Sequence, residues 1–292
     1  MFLERFSQYL KFEKRFSPHT VSAYQRDLIQ FFDFIGSREL EFSEINHTHV
    51  RSFIIDMMET GLDPRSVNRK ISTLRSFYKF LLRDGSVSSN PMTHVKATKT
   101  SRRLPVVVEE TKLNVLLDSD NIFSDNFIGL RDRLVMEILF GTGIRVAELL
   151  ALKDYDVDHW NKTIRVFGKR SKERLIPLNA SLFDLIETYK VEKKKTFLEG
   201  KEQLVVTEKG EKAYPGLIQK IVHKYLSYIS TQSKKSPHVL RHTFATTLLN
   251  KGADLNAIKE LLGHSSLAAT QVYTHNSVEK LKSIYKQAHP KA

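Results

Sequence analysis

The chain has 292 residues, 41% of them hydrophobic and 10% aromatic, enough to form cores in two ordinary domains. Lysine and arginine number 46 against 33 aspartates and glutamates, and the formal charge of +13 calls for a polyanionic partner such as nucleic acid or an acidic membrane surface. Cysteine is absent, which excludes disulfides and thiolate metal sites; no apolar run approaches the roughly 20 residues that span a bilayer, and Glu4 breaks any leader-like start. A cytoplasmic protein without membrane contact is expected.

Residues 1–96 read as nearly all helix. Ser17 followed by Pro18 is a cap and first-turn pair, and Val21, Tyr24, Leu28, Phe31 and Ile35 recur at helical spacing until Gly36. A shorter helix is expected over 48–59. The next starts at Asp63-Pro64, with Val67, Ile71, Leu74, Tyr78 and Leu81 as its apolar stripe. Its other side carries Arg65, Arg69 and Arg75 among Asn68, Ser72 and Ser76. Long cations and short hydrogen-bonding groups on one face suit phosphates and base edges, although a solvated polar face has the same composition.

Asn90-Pro91 closes this block, and residues 97–104, with little apolar content and no periodicity, read as a linker. Up to residue 103 there are 17 basic and 11 acidic side chains, and beyond it 29 and 22. Both halves are basic, as two lobes gripping one polyanion would be. The second domain, 105–292, opens with helices expected over 109–117 and 127–140, interrupted at Gly141-Thr142-Gly143. The period then changes to strand-like over Thr163–Phe167 and Glu173–Leu178, a hairpin with a basic tip at Lys169, Arg170 and Lys172. Helix is expected again over 181–195, a further strand over Gln203–Thr207, and helix over 216–229. Ser236-Pro237 opens the helix that carries His238, Arg241 and His242, and a last run from Asp254 to Leu262 ends at Gly263.

Residues apt for phosphate chemistry gather in this second domain. Arginine's rigid fork binds two phosphate oxygens and keeps its charge, and Arg145 and Arg241 are candidates. A phenol, Tyr273, suits nucleophilic attack, and a lysine at a hairpin tip, Lys169, suits protonation of a leaving oxygen. Each residue alone has a plainer reading. Arg145 is spaced to pair with Glu148 on a helix surface, and His238 and His242 are spaced as a structural pair or, without an intervening glutamate, a poor metal pair. His264 follows a helix-ending glycine, and Tyr273 is one of ten tyrosines.

Their order resembles the tyrosine recombinases, or integrase family. Thr142-Gly143-Ile144-Arg145-Val146-Ala147-Glu148-Leu149, Gly168-Lys169, His238-Val239-Leu240-Arg241-His242, Leu262-Gly263-His264 and Tyr273 match the family's motifs in sequence. The hairpin from Gly168 to Leu178 is similar to that of the Xer recombinases, with Arg170 where glycine is commoner. The resemblance implies a mainly α protein: a helical, SAM-like core-binding domain and an α+β catalytic domain with a small antiparallel sheet, closing as a C-shaped clamp on DNA. The chain enters its core-binding domain almost at once, as a recombinase needing a core site alone would.

The resemblance also implies roles. Tyr273 is the nucleophile that forms a 3′-phosphotyrosyl link; Arg145 and Arg241 hold the scissile phosphate; Lys169 protonates the leaving 5′-oxygen; His238 and His264 assist; and Glu148 and His242 support them. Arg65, Asn68, Arg69, Ser72, Arg75, Arg170 and Lys172 are the expected DNA contacts. No cofactor or metal is expected. Val278, Leu281, Ile284 and Tyr285 form a terminal amphipathic helix that, by resemblance, packs into a neighbouring protomer of a homo- or hetero-tetramer on a double-stranded recombination site. A second Xer-type recombinase and a cell-division DNA translocase are the implied further partners, and chromosome or plasmid dimers at the nucleoid the implied substrate. The same motifs serve mobile-element integrases and invertases; the full set of apparent catalytic residues argues against a DNA-binding protein that has lost catalysis, and a histidine-ligated metalloenzyme would be inhibited by chelators, whereas a recombinase would work in EDTA.

Overall fold

Serine and aspartate immediately before proline start the two longest helices of the N-terminal unit. In the computed structural model Ser17 caps α2 (Pro18–Gly36) by accepting from the Thr20 amide, and Asp63 caps α4 (Pro64–Arg83) by accepting from the Arg65 amide at 2.8 Å. The structure describes residues 2–38, 44–100, 106–119, 121–168, 173–197, 202–232 and 234–263. Lys169, Arg170, Lys172, His264, Tyr273 and the expected terminal helix lie outside them, as does part of the expected linker.

The chain divides into two units, residues 1–103 and 104–292. The first holds α1 (Phe2–Gln8), which runs on in a wider turn over Tyr9–Glu13, then α2, α3 (His47–Glu59) and α4. The apolar stripe predicted for α4 is buried from Val67 to Leu81 and packs on Phe6, Leu28 and Phe31. Each such large side chain stabilises the unit by roughly 1.5–3 kcal/mol. Asp27 of α2 is 1% exposed and crosslinks the core polar groups: it accepts from Arg69 Nη1 at 2.5 Å, Lys70 Nζ at 2.9 Å and Thr73 Oγ1 at 2.9 Å.

The face of α4 expected to meet DNA is partly engaged by its own chain. Arg65, Arg69, Ser72 and Arg75 are all exposed, but Arg69 holds Asp27, and Arg75 Nη2 donates to the Val95 carbonyl at 2.5 Å. Asn68 shares three hydrogen bonds with Thr98, its Nδ2 donating to the carbonyl at 2.9 Å and its Oδ1 accepting from the amide at 2.8 Å and from the hydroxyl at 3.0 Å. The first residues of the expected linker are therefore laid along α4.

In the second unit α6 (Phe127–Thr142) is buried nearly all round, Leu134–Phe140 without a break, although it carries Arg131, Asp132 and Glu137 among its buried residues. Such a helix belongs at the centre of a domain, and α6 packs on α8 (Ala180–Thr196), α9 (Pro215–Ile229) and α10 (Pro237–Asn250). Before it comes α5 (Glu110–Asp118) and after it the short α7 (Val146–Leu149). The expected hairpin is present as β2 (Thr163–Phe167) and β3 (Glu173–Pro177), paired antiparallel from Thr163↔Pro177 to Phe167↔Glu173. A two-residue strand β1 (Val157–Asp158), not foreseen from sequence, extends the sheet in the order β1-β2-β3. Between β1 and β2 Asp158 Oδ1 accepts from the amides of Trp160 at 2.9 Å and Asn161 at 3.0 Å, and the Trp160 side chain stands 91% exposed.

One expected strand is absent. Leu204, Val205 and Val206 are buried, but the segment makes only isolated bridges, Lys153↔Gln203 and Val206↔Lys212. The buried Lys193 holds it instead, donating to the Gln203 carbonyl at 2.7 Å while pairing with Asp154 at 2.6 Å. The last described helix is α11 (Leu255–Leu262), which packs on α10 and β3. No helix among the described residues is long and apolar enough to cross a membrane.

Candidate active site

The site grows from two helix ends that require glycine. After Thr142, Gly143 turns the chain out of α6 with φ +61°, a left-handed conformation that an L side chain adopts at a cost. A Cβ there would also sit 2.4 Å from Phe244 Cδ1, so α10 and the turn approach too closely for any other residue. The turn delivers Arg145, whose backbone amide donates to Glu148 Oε2 at 2.8 Å and whose Nη1 donates to Glu148 Oε1 at 2.8 Å. The spacing that suggested a surface pair thus gives a different object: Glu148 is 5% exposed, while the Arg145 side chain is 38% exposed.

The second glycine, Gly263, closes α11 with φ +63°, its amide bonded to the Glu260 carbonyl at 3.0 Å. A helix leaves its last carbonyls without partners and carries partial negative charge at that end. Here three consecutive carbonyls each accept from a different arginine. Leu261 accepts from Arg174 Nε at 2.8 Å, Leu262 from Arg241 Nη2 at 2.6 Å, and Gly263 from Arg145 Nη2 at 3.1 Å. Arg241, 8% exposed on α10, also donates through Nη1 to the Gly143 carbonyl, joining the two glycine turns. Its helix neighbours His238 and His242 are both exposed. His238 lies three residues before Arg241 on the same helix side, and His242 beyond it.

Electrostatically the cluster is unfinished. Burial, and then the neighbouring Arg145 charge, bring the Arg241 pKa down to about 10 despite the attraction of Glu148. The guanidinium stays charged at neutral pH but lacks compensation, the condition under which an incoming anion is most welcome. Burial works against the Glu148 carboxylate too, yet hydrogen bonds from Arg174 and Arg145 and the Arg174 charge outweigh it and hold its pKa below the ordinary carboxylate range. Two arginines gathered at one helix end and anchored on backbone carbonyls have the chemistry to bind the non-bridging oxygens of a phosphodiester. Among the described residues no group of three or more histidine, aspartate and glutamate side chains could hold a metal ion.

The structure thus brings together Arg145, Arg241 and Glu148, with His238 on the same helix as Arg241. Sequence reasoning missed Arg174. Its signal was present: strand alternation in β3 puts Arg174 on the same side as the buried Ile176, a cation where an apolar residue is expected.

Residues 107–280 match the phage integrase family, and residues 3–85 match the N-terminal SAM-like domain of phage integrases. A tyrosine recombinase XerC of Oceanobacillus iheyensis is 40% identical over 297 residues, covering 100% of this chain and 97% of the relative. That of Chlorobaculum parvum is 37% identical over 318 residues, covering 99% and 94%. Among solved structures, XerH site-specific recombinase bound to a palindromic difH substrate in a post-cleavage complex superimposes with a TM-score of 0.75 at 23% identity, covering 97% of this chain and 84% of that one. The chain therefore belongs to the phage integrase family, as a tyrosine recombinase of the Xer type.

Proposed function

We propose that the phosphate-binding half of this recombinase's active site is the arginine cluster at the end of α11, and that Tyr273 is its nucleophile. The carrying observation is the convergence of Arg145 and Arg241 on the Gly143 and Gly263 turns, ten residues ahead of Tyr273 in the chain. In the proposed step the Tyr273 oxygen forms a bond to the scissile phosphorus and the bond to the 5′-oxygen breaks. The phenol's proton passes to His238 or His264, and Lys169 gives a proton to the departing 5′-oxygen. Arg145 and Arg241 stabilise the added charge on the phosphate oxygens. The phosphotyrosyl link keeps the energy of the broken bond, so a 5′-hydroxyl from another strand reverses the step without a nucleotide cofactor. Two rounds of this exchange pass through a Holliday junction.

The DNA site is gripped through the basic faces of both units, with Arg65, Arg69, Ser72 and Arg75 on α4 and Arg170 and Lys172 at the hairpin as phosphate contacts. Asn68, bonded to Thr98, shapes that face from within. Relatives named tyrosine recombinase XerC support the Xer reading, under which the substrate is a chromosome or plasmid dimer in the cytoplasm, resolved by a tetramer of this chain alone or with a second Xer-type partner. The test uses a nicked suicide duplex carrying the site that the wild-type protein selects from random-sequence DNA. Wild type forms a covalent adduct on a denaturing gel and Tyr273→Phe forms none; an adduct with the phenylalanine variant refutes the assignment.

A further inference from the structure

Arg174 is a buried arginine with no part in the proposed chemistry, and all three kinds of its guanidinium nitrogen are engaged. Nη1 donates to Glu148 Oε1 at 3.0 Å, Nη2 to Glu148 Oε2 at 2.8 Å, and Nε to the Leu261 carbonyl at 2.8 Å. Opposite Val166 in the sheet, it is rooted in β3, the strand that leaves the hairpin of Lys169. It also lies against the end of α11: a Cβ on Gly263 would sit 3.0 Å from Arg174 Nη1.

The arithmetic of the carboxylate gives this arrangement its meaning. Two oxygens offer about four acceptor positions. Arg174 takes one on each oxygen, the Arg145 amide takes one on Oε2, and a single Arg145 guanidinium nitrogen takes one on Oε1. Arg145 therefore meets its carboxylate through one nitrogen rather than a fork, and turns Nη2 to the Gly263 carbonyl. Remove Arg174, and the vacated acceptor positions and the whole carboxylate charge fall on Arg145. Its planar fork would close on Glu148 in the bidentate geometry arginine favours, withdrawing from the substrate.

We infer that Arg174 is a positioning residue for strand cleavage: by occupying Glu148 bidentately and pinning the Leu261 carbonyl, it keeps Arg145 presented to the phosphate and fixes the helix end that leads into His264. The inference rests on the reading of Arg145 as a phosphate ligand. A salt bridge serving stability alone would make a different prediction: removing one partner destabilises and removing both is often neutral or stabilising, so the cleavage rate would then only follow the melting temperature, whereas a positioning role changes the rate in variants that are folded and bind the duplex.

The experiment measures adduct formation on the nicked suicide duplex at saturating protein, duplex binding by gel shift, and thermal melting, all on the full chain. Arg174→Lys keeps a cation beside Glu148 but cannot span both its oxygens and the Leu261 carbonyl. It is expected to bind the duplex within about twofold of wild type and to form adduct about tenfold more slowly or worse. Arg174→Gln is expected to lose at least as much, and adding Glu148→Gln to it, which removes the charge that captures Arg145, to restore several-fold of the rate. A lysine variant that cleaves within about twofold of wild type overturns the inference, as does a double variant no faster than Arg174→Gln. If Arg174→Gln does not fold, the lysine variant alone decides. Arg145→Ala run alongside separates the two readings: if it cleaves normally, the phosphate assignment has failed, whereas normal cleavage by Arg174→Lys beside a dead Arg145→Ala refutes only the positioning role.

Discussion

Replacing Gly143 by alanine probes the junction on which the arginine cluster is built. Two separable costs arise there. The left-handed backbone, φ +61°, costs an L residue roughly 1–2 kcal/mol. The added Cβ would lie 2.4 Å from Phe244 Cδ1 and 3.0 Å from Leu262 Cδ2, and overpacking of this kind costs about 1–3 kcal/mol more. The expected loss is about 2–5 kcal/mol. Gly252 supplies the control within the same unit: its φ is +81°, but nothing lies within 4 Å of its Cβ position, so Gly252→Ala carries only the backbone cost of roughly 1–2 kcal/mol. Scanning calorimetry reads both, at roughly 2–4 °C per kcal/mol for a unit of this size. Because the Gly143 carbonyl accepts from Arg241, adduct formation should also fall in Gly143→Ala and persist in Gly252→Ala. Equal melting losses in the two variants would refute the packing argument, and undiminished cleavage by Gly143→Ala would refute its link to Arg241.

The buried crosslink of the first unit and the acid behaviour of the second are open to similar tests. Asp27→Ala leaves the Lys70 side chain, 6% exposed, with its charge unpaired, and should destabilise the first unit by about 3–5 kcal/mol. Hydrogen exchange of α2 and α4 amides checks this, and unchanged protection would refute it. The Glu148 pKa is lowered in the folded protein, so its stabilisation is present above the unfolded carboxylate value near pH 4 and lost as pH falls through the folded value. The melting advantage of wild type over Glu148→Gln should therefore be full at pH 7 and shrink below about pH 4; an advantage that grows in acid would contradict the sign.

Much of the fold was legible wherever local chemistry and periodicity agreed. Asp63-Pro64 and the stripe from Val67 to Leu81 placed α4, and Gly263 placed the end of α11, because caps and left-handed turns act within a few residues. The run Gln203–Thr207 misled, since buried aliphatic residues look alike whether a strand ladder or a lysine secures them. Arg145 and Arg241 were recognisable from their motifs, but their shared anchor was not: carbonyl acceptors are backbone atoms, invisible in residue identities. Arg174 and its pairing with Glu148 were hardest to read for a related reason. Charged residues are expected outside, and a buried pair is stabilised by contacts between segments that sequence spacing does not relate.

The lone tryptophan of the chain stands on the turn between β1 and β2, nearly bare to solvent on a backbone held by Asp158. An indole already in water gains little further exposure when the second unit unfolds, so its emission is a poor thermometer of the fold. That same placement makes it a proximity sensor. Any blue shift or quenching of Trp160 on adding DNA or another protomer reports contact at this one corner, read optically and without a label.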